Sequence, residues 1–222
     1  ASGTTTSRSS PSVLRAIVAV VGSAPAMMFV LNWTAKFLVD GLGMPKEAIG
    51  NYLILPPLAF DVGALAFGAL ASSRHSSAAG TTPRGLLVFS MLLCASLALV
   101  PLSGSPGFAI ALFGASACGC GGIYALVTAD MLDRVPMDRT SAASGMMAAG
   151  QSLAHVLAGP LVGWTIDRTH SHTTAVVVLG LIVVPTTLAF VAWPGIRDGR
   201  SADAEGPLFA SDNAGRESRP LT

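Results

Sequence analysis

Six long apolar stretches predict an all-α integral membrane protein with six transmembrane helices. Three observations carry this expectation. Of 222 residues, 51% are hydrophobic and 11% charged, whereas a soluble domain carries about 25% charged residues. With a mean hydropathy of +0.62, the chain has too little polar surface to wrap a soluble core. Apolar windows fall at 15–36, 48–71, 85–104, 107–129, 142–166 and 173–194, and roughly 20 such residues cross a ~30 Å hydrocarbon layer as a helix. Backbone groups cannot stay unpaired in lipid, so runs of this length read as helices rather than open strands; the alternation of a β-barrel is absent.

Taken in order, residues 1–13 open with "ASGTTTSRSSPS", a Ser/Thr-rich cytoplasmic linker without the basic start and short apolar core of a secretory signal. A chain that opens on a linker is expected to be a piece of something longer. Residues 14–196 hold the bundle. The first span is interrupted by Pro25, Asn32, Trp33 and Lys36, polar groups that should face other helices or a water-filled cavity. The second follows "MPKEA" and carries Pro56, Pro57 and Asp61. The third and sixth are plain and suit a lipid-facing position. In the fourth, Gly114, Cys118 and Gly122 stand four apart, a spacing that lets two helix backbones approach closely. The fifth repeats the device with Ser141 and Gly145, and again with Gly159 and Gly163. Spans one, two, four and five therefore read as an inner wall, and three and six as an outer prop. Residues 197–222 form a polar, Gly-rich tail, read as disordered.

Charge placement tests this threading independently. Arg8, Arg15, Arg74, Arg84, Arg134, Arg139, Arg197, Arg200, Arg216 and Arg219 lie with the N-terminus, the even loops and the tail. Only Lys36, Lys46 and Arg168 lie with the odd loops. That bias puts both termini in the cytoplasm of a multi-pass protein of the cell (inner) membrane. The net charge of +1 gives no sign of nucleic-acid binding, and no nucleic-acid partner is expected. Cys94, Cys118 and Cys120 fall inside spans and read as small apolar residues; no metal or cofactor is expected.

The stretch "NWTAKFLVDGLGMPKEAIGNYLILPPLAFDVGALAFGALASSR" carries a W-x-x-K-F-L pattern at Trp33, Lys36, Phe37 and Leu38. An L-P-x-x-x-x-D-x-G-x-x-x-x-G pattern follows at Leu55, Pro56, Asp61, Gly63 and Gly68. "DRVP" occupies 133–136, and "SGMMAAGQSLAHVLAGPLVGWTIDRT" supplies Gly145, Gly150, Pro160, Gly163, Asp167 and Arg168. Together these resemble the second half of anion:cation symporters of the major facilitator superfamily, with hexuronate and other sugar-acid carriers the nearest members. The resemblance covers about residues 14–194. It implies half of a twelve-helix fold, a missing N-terminal six-helix half as partner, and alternating-access symport of a small organic anion with a proton or cation. The chain departs from hexuronate-type members where they show His-Gln-Gly, having Cys120, Gly121 and Gly122 instead. Leu126 stands for an expected Asn, and Gln151 is the nearest amide to another. Substrate identity is left open by these differences.

Asp61 draws most weight as a site residue. It lies about 13 residues into its span, or roughly 20 Å at 1.5 Å per residue, where a charge costs at least ~2.5–3.5 kcal/mol. It reads either as a coupling or gating carboxylate facing a cavity, or as the acceptor of a helix–helix hydrogen bond. Lys36 either meets a substrate carboxylate or snorkels to the outer surface. Trp33, beside Asn32, either stacks on a sugar ring or anchors at the interface. His155 is a proton relay or a structural hydrogen-bonding group, with Gln151 one turn earlier on its face. Asp133, Arg134, Asp138 and Arg139, with Asp130, read as a gating latch or as a solvated loop. An enzyme is not expected. The alternatives are a non-transporting half that binds a partner half and, more remotely, a rhomboid-like serine protease built on Ser116 and His155, which lacks that family's G-x-S-G.

Overall fold

The computed structural model describes residues 11–75 and 84–193, and every regular element among them is helical. Six long helices follow one another: α1 (Pro11–Asn32), α2 (Leu55–His75), α3 (Arg84–Ala95), α4 (Pro106–Leu132), α5 (Thr140–Thr169) and α6 (His172–Ala192). The linker expected through residue 13 overlaps the first helix, which already includes Pro11, by three residues. The tail expected at 197–222 lies outside the described residues.

Local chemistry sets the ends. Ser105 caps α4 by accepting from the Phe108 amide at 3.4 Å, with Pro106 in the first turn, where the missing N–H costs nothing. Ser171 caps α6 in the same way through Thr173 N at 3.1 Å. Between them α5 stops at His170, in the left-handed conformation with φ 49°. Past Asn32 the first helix runs on through Thr34–Lys36 into a π turn, Phe37–Gly41, and ends where Gly43 takes φ 66°. The third span tightens instead. From Ser96 to Leu102 it is a 3-10 helix, because Pro101 has no N–H to donate and the Ser116 hydroxyl takes the Cys94 carbonyl at 3.0 Å.

Among the described residues, five segments are long and apolar enough to cross a membrane: Pro11–Gly41, Gly50–Ser73, Arg84–Leu102, Pro106–Leu132 and His172–Ala192. The expected sixth, α5, has the length at 30 residues but not the apolarity, since Gln151 and His155 interrupt its middle. These apolar helices suggest a membrane protein.

Two central helices organise the bundle, α1 and α4, each largely buried and in contact with one another. Lying along α4, α2 comes so close that a Cβ on Gly63 would overlap the Cys118 backbone, and one on Gly121 the Phe60 backbone. Against the other side of α4 sits α3, with Gly119 on the backbones of Ser90 and Cys94. On α1 rest α5, through Gly150 against Ile17, and α6, through Gly22 against Thr186. The 3-10 end of the third span packs on α6 at Gly180 and Ala98.

The inner-wall expectation therefore divides. Spans one and four are central, while α2 and α5 are flanking helices with broad bare faces. The third and sixth spans do leave apolar side chains outside, Phe89, Leu92, Leu181 and Leu188 among them. The packing expected of Gly145 and Gly159 is absent, because nothing lies within 4 Å of a Cβ built on either; both stand on the bare side of α5.

Candidate functional site

Three regions gather the polar groups: the bare faces of α2 and α5, the end bearing Lys36, and the end bearing Asp130.

On α2 the residues turned to α4 are small or aromatic, Ala59, Phe60, Gly63, Ala64 and Phe67. The opposite face carries Leu58, Asp61, Val62 and Leu65, all exposed. Leu65 is 75% exposed and Val62 61%, so the Asp61 carboxylate stands in an apolar surface. Among the described residues it accepts no hydrogen bond and pairs with no cation, so the helix–helix hydrogen bond weighed for it is not made here. The bare face of α5 is similar, with Leu153, Val156, Leu157, Leu161 and Trp164 exposed. At its edge His155 is half-buried, and its Nδ1 lies 3.1 Å from the Gln151 carbonyl oxygen. The two expected polar residues are thus joined within one helical turn, through the backbone of the first.

Around Lys36 an aromatic cluster forms where the first helix meets α4 and α6. Trp33 stacks on Phe29, with ring centroids 6.3 Å apart and an 11° interplanar angle. Trp33 also meets His172 edge-on at 6.5 Å, while the Lys36 ammonium lies 5.2 Å above the indole, close enough for a cation–π attraction. Phe37 meets Phe113 and His172 edge-on, and the buried His172 Nε2 has no hydrogen-bond partner among the described residues. Asn32 turns back on its own helix and donates to the Met28 carbonyl at 3.0 Å. Lys36, Asp40 and Lys46 rim an open groove of about 540 Å³ floored by Ala35, Val39 and Ile49. So Trp33 and Lys36 are brought together, and Asn32 is turned away from them.

At the other end Asp130 is buried, 4% exposed. It accepts from Arg15 Nη2 at 2.5 Å and, with both oxygens, from Arg134 Nε at 2.9 Å and Nη2 at 3.0 Å. Arg15 is itself buried. Its guanidinium lies over the Phe190 ring at 4.0 Å and donates to the Trp193 carbonyl at 3.3 Å. The cluster therefore ties α1, α4 and α6. Of the expected latch, Arg134 belongs to this network, Asp133 sits exposed at the end of α4, and Asp138 and Arg139 pair loosely at 3.9 Å in an exposed turn. Arg15, read from sequence only as a topology charge, is the residue that was missed. The available signal was its position: a cation at the first turn of one span and Asp130 at the last turn of another bring opposite charges to the same end.

Ser116 is buried and donates to the Cys94 carbonyl at 3.0 Å; the structure brings no histidine to its hydroxyl among the described residues. No family model matches the chain, and no curated protein or solved structure matches it.

Proposed function

We propose that this chain is one six-helix half of a major facilitator-type secondary carrier. It would move a small organic anion such as a sugar acid, coupled to a proton or cation, through alternating access. The observation that supports this reading best is the packing of α1–α3 against α4–α6. The first helix of each triplet is held chiefly by the second and third helices of the other. With α5 counted as a crossing, each triplet would make three, and the second would enter from the opposite side to the first, as in the inverted repeats of secondary carriers. In that arrangement α2 and α5 are equivalent, and both carry broad bare faces among the described residues.

A second six-helix body laid on these faces would cover the apolar residues and enclose Asp61 in a seam between two halves. Enclosed, the carboxylate can hold a proton in one state and release it in another; facing acyl chains it would only cost energy. Trp33 and Lys36 offer a flat apolar surface beside a cation, a pairing that suits a sugar ring bearing a carboxylate. The Asp130 network holds α1, α4 and α6 as one body, so that rocking occurs between halves rather than within this one.

The test is uptake by the full-length protein in vesicles carrying an imposed pH gradient, with radiolabelled sugar acids as substrates. Gradient-driven accumulation is expected, and Asp61→Asn is expected to remove its dependence on pH while leaving the protein folded. Accumulation by no organic anion would sink the carrier reading, and an unchanged pH profile in the variant would remove Asp61 from coupling.

A further inference from the structure

Where α3 passes into its 3-10 stretch, two thiols from different helices meet. Cys94 Sγ and Cys120 Sγ are 3.3 Å apart and both residues are buried. Cys120 also reaches the Ser23 carbonyl at 3.7 Å, so the pair stands at the junction of α1, α3 and α4. The backbones are close as well. Gly119 presses on the Cys94 backbone so tightly that any side chain there would overlap it, and Ser116 donates to the Cys94 carbonyl. A disulfide asks for Cα atoms about 4.4–6.8 Å apart and sulfurs about 2.05 Å apart. Here the Cys94 backbone abuts Gly119, the chain neighbour of Cys120, and the sulfurs, already 3.3 Å apart, need to approach by roughly 1.3 Å. We propose that Cys94 and Cys120 are a redox pair that closes to an intramolecular disulfide, clamping the joint of the third span onto α4.

What such a clamp would hold is the place where the third span passes from α to 3-10 winding. The Cys94 carbonyl accepts from the Ser116 hydroxyl at 3.0 Å, and a 3-10 stretch inside a span often marks a hinge. Cys118 cannot replace either member: it lies two residues from Cys120 on one helix and so points away from it. Burial shields both thiols from charged oxidants, so the matching oxidant is small and uncharged, hydrogen peroxide being the simplest. One sulfur attacks a peroxide oxygen, the O–O bond breaks, and a sulfenic acid and water form. The second sulfur then displaces the sulfenic oxygen as a second water while the S–S bond forms. The two thiols together lose two electrons and two protons, and the peroxide is reduced to two waters. None of this depends on the carrier reading.

The experiment treats the full chain in detergent micelles with hydrogen peroxide, quenches it, and counts thiols with a maleimide after denaturation. The titre is expected to fall from three to one, to return to three with dithiothreitol, and to leave Cys118 as the labelled residue. A digest without reductant should contain a linked Cys94–Cys120 peptide, present in Cys118→Ser and absent in Cys94→Ala. Oxidation should raise the unfolding temperature of the wild type and leave Cys94→Ala unmoved. A titre that stays at three, or that falls through Cys118, overturns the pair; a linked peptide with no rise in unfolding temperature overturns the clamp.

Discussion

Asp130 is the acceptor that Arg15 and Arg134 share, and its worth follows from burial. Exposed ion pairs contribute about 0–1 kcal/mol, but removing one member of a buried pair costs about 3–5 kcal/mol, because the remaining charge stays desolvated. Asp130→Asn is therefore expected to destabilise the bundle by about 3–5 kcal/mol, read as the shift in chemical or thermal unfolding in detergent. Asp138→Asn makes the control: its carboxylate is 77% exposed and 3.9 Å from Arg139, so a change within about 0.5 kcal/mol is expected. Equal losses for the two variants would contradict the buried network. At this scale the sequence disclosed residue types better than residue partners. Asp61 stands out in "PPLAFDVGALAFGAL" because one charge interrupts an apolar run, and Gln151 and His155 announce each other by spacing. Nothing local links Arg15 to Asp130, which are 115 positions apart; their meeting is set by how α1 and α4 cross, which periodicity does not encode.

Among whole elements the glycines separate into two kinds. On α4, Gly119 and Gly121 lie where a neighbouring backbone leaves no room for a Cβ, while Gly145 on α5 faces open space. Glycine inside a helix costs about 1 kcal/mol relative to alanine, and overpacking a tight contact costs about 1–3 kcal/mol. The two substitutions should then differ in sign: Gly145→Ala raises stability by up to about 1 kcal/mol, and Gly121→Ala lowers it by about 1–3 kcal/mol. Unfolding temperatures of both variants in one detergent decide this, and a loss in Gly145→Ala would mean that α5 has a neighbour on that face. The spacing of small residues marked the α4 seam correctly and misled on α5, for a physical reason. Small residues permit close approach but do not choose the partner, and α5 meets α1 and α6 along one flank only. Span edges were legible to within a few residues, since each follows from the end of an apolar run, whereas the 3-10 winding of the third span was not. Pro101 alone does not announce that winding, which also involves the Ser116 hydroxyl on the Cys94 carbonyl, a contact from another helix.

At the scale of the whole molecule, α2 and α5 keep broad bare faces among the described residues, and the composition of those faces argues against lipid as the cover. Lipid-facing surfaces avoid charge, and α3 and α6 comply, with Phe89, Leu92, Leu181 and Leu188 outside. The faces of α2 and α5 instead place Asp61 and the His155–Gln151 turn among exposed leucines and valines. A face that mixes apolar bulk with a single carboxylate fits a protein neighbour that can pair the charge or enclose it with water. Photocrosslinking separates the two covers. A benzophenone-bearing residue at Leu65 or Val156 of the full-length protein is expected to join to polypeptide, yielding a crosslinked peptide from outside residues 11–193. The same probe at Phe89 or Leu181 should join to lipid. Asp61→Asn should leave the Leu65 crosslink in place, because the apolar contact around it dominates the buried area while the carboxylate acts in coupling. Lipid adducts at all four positions would mean that α2 and α5 face the bilayer, and the proposal of a second half resting on them would then have no surface to stand on.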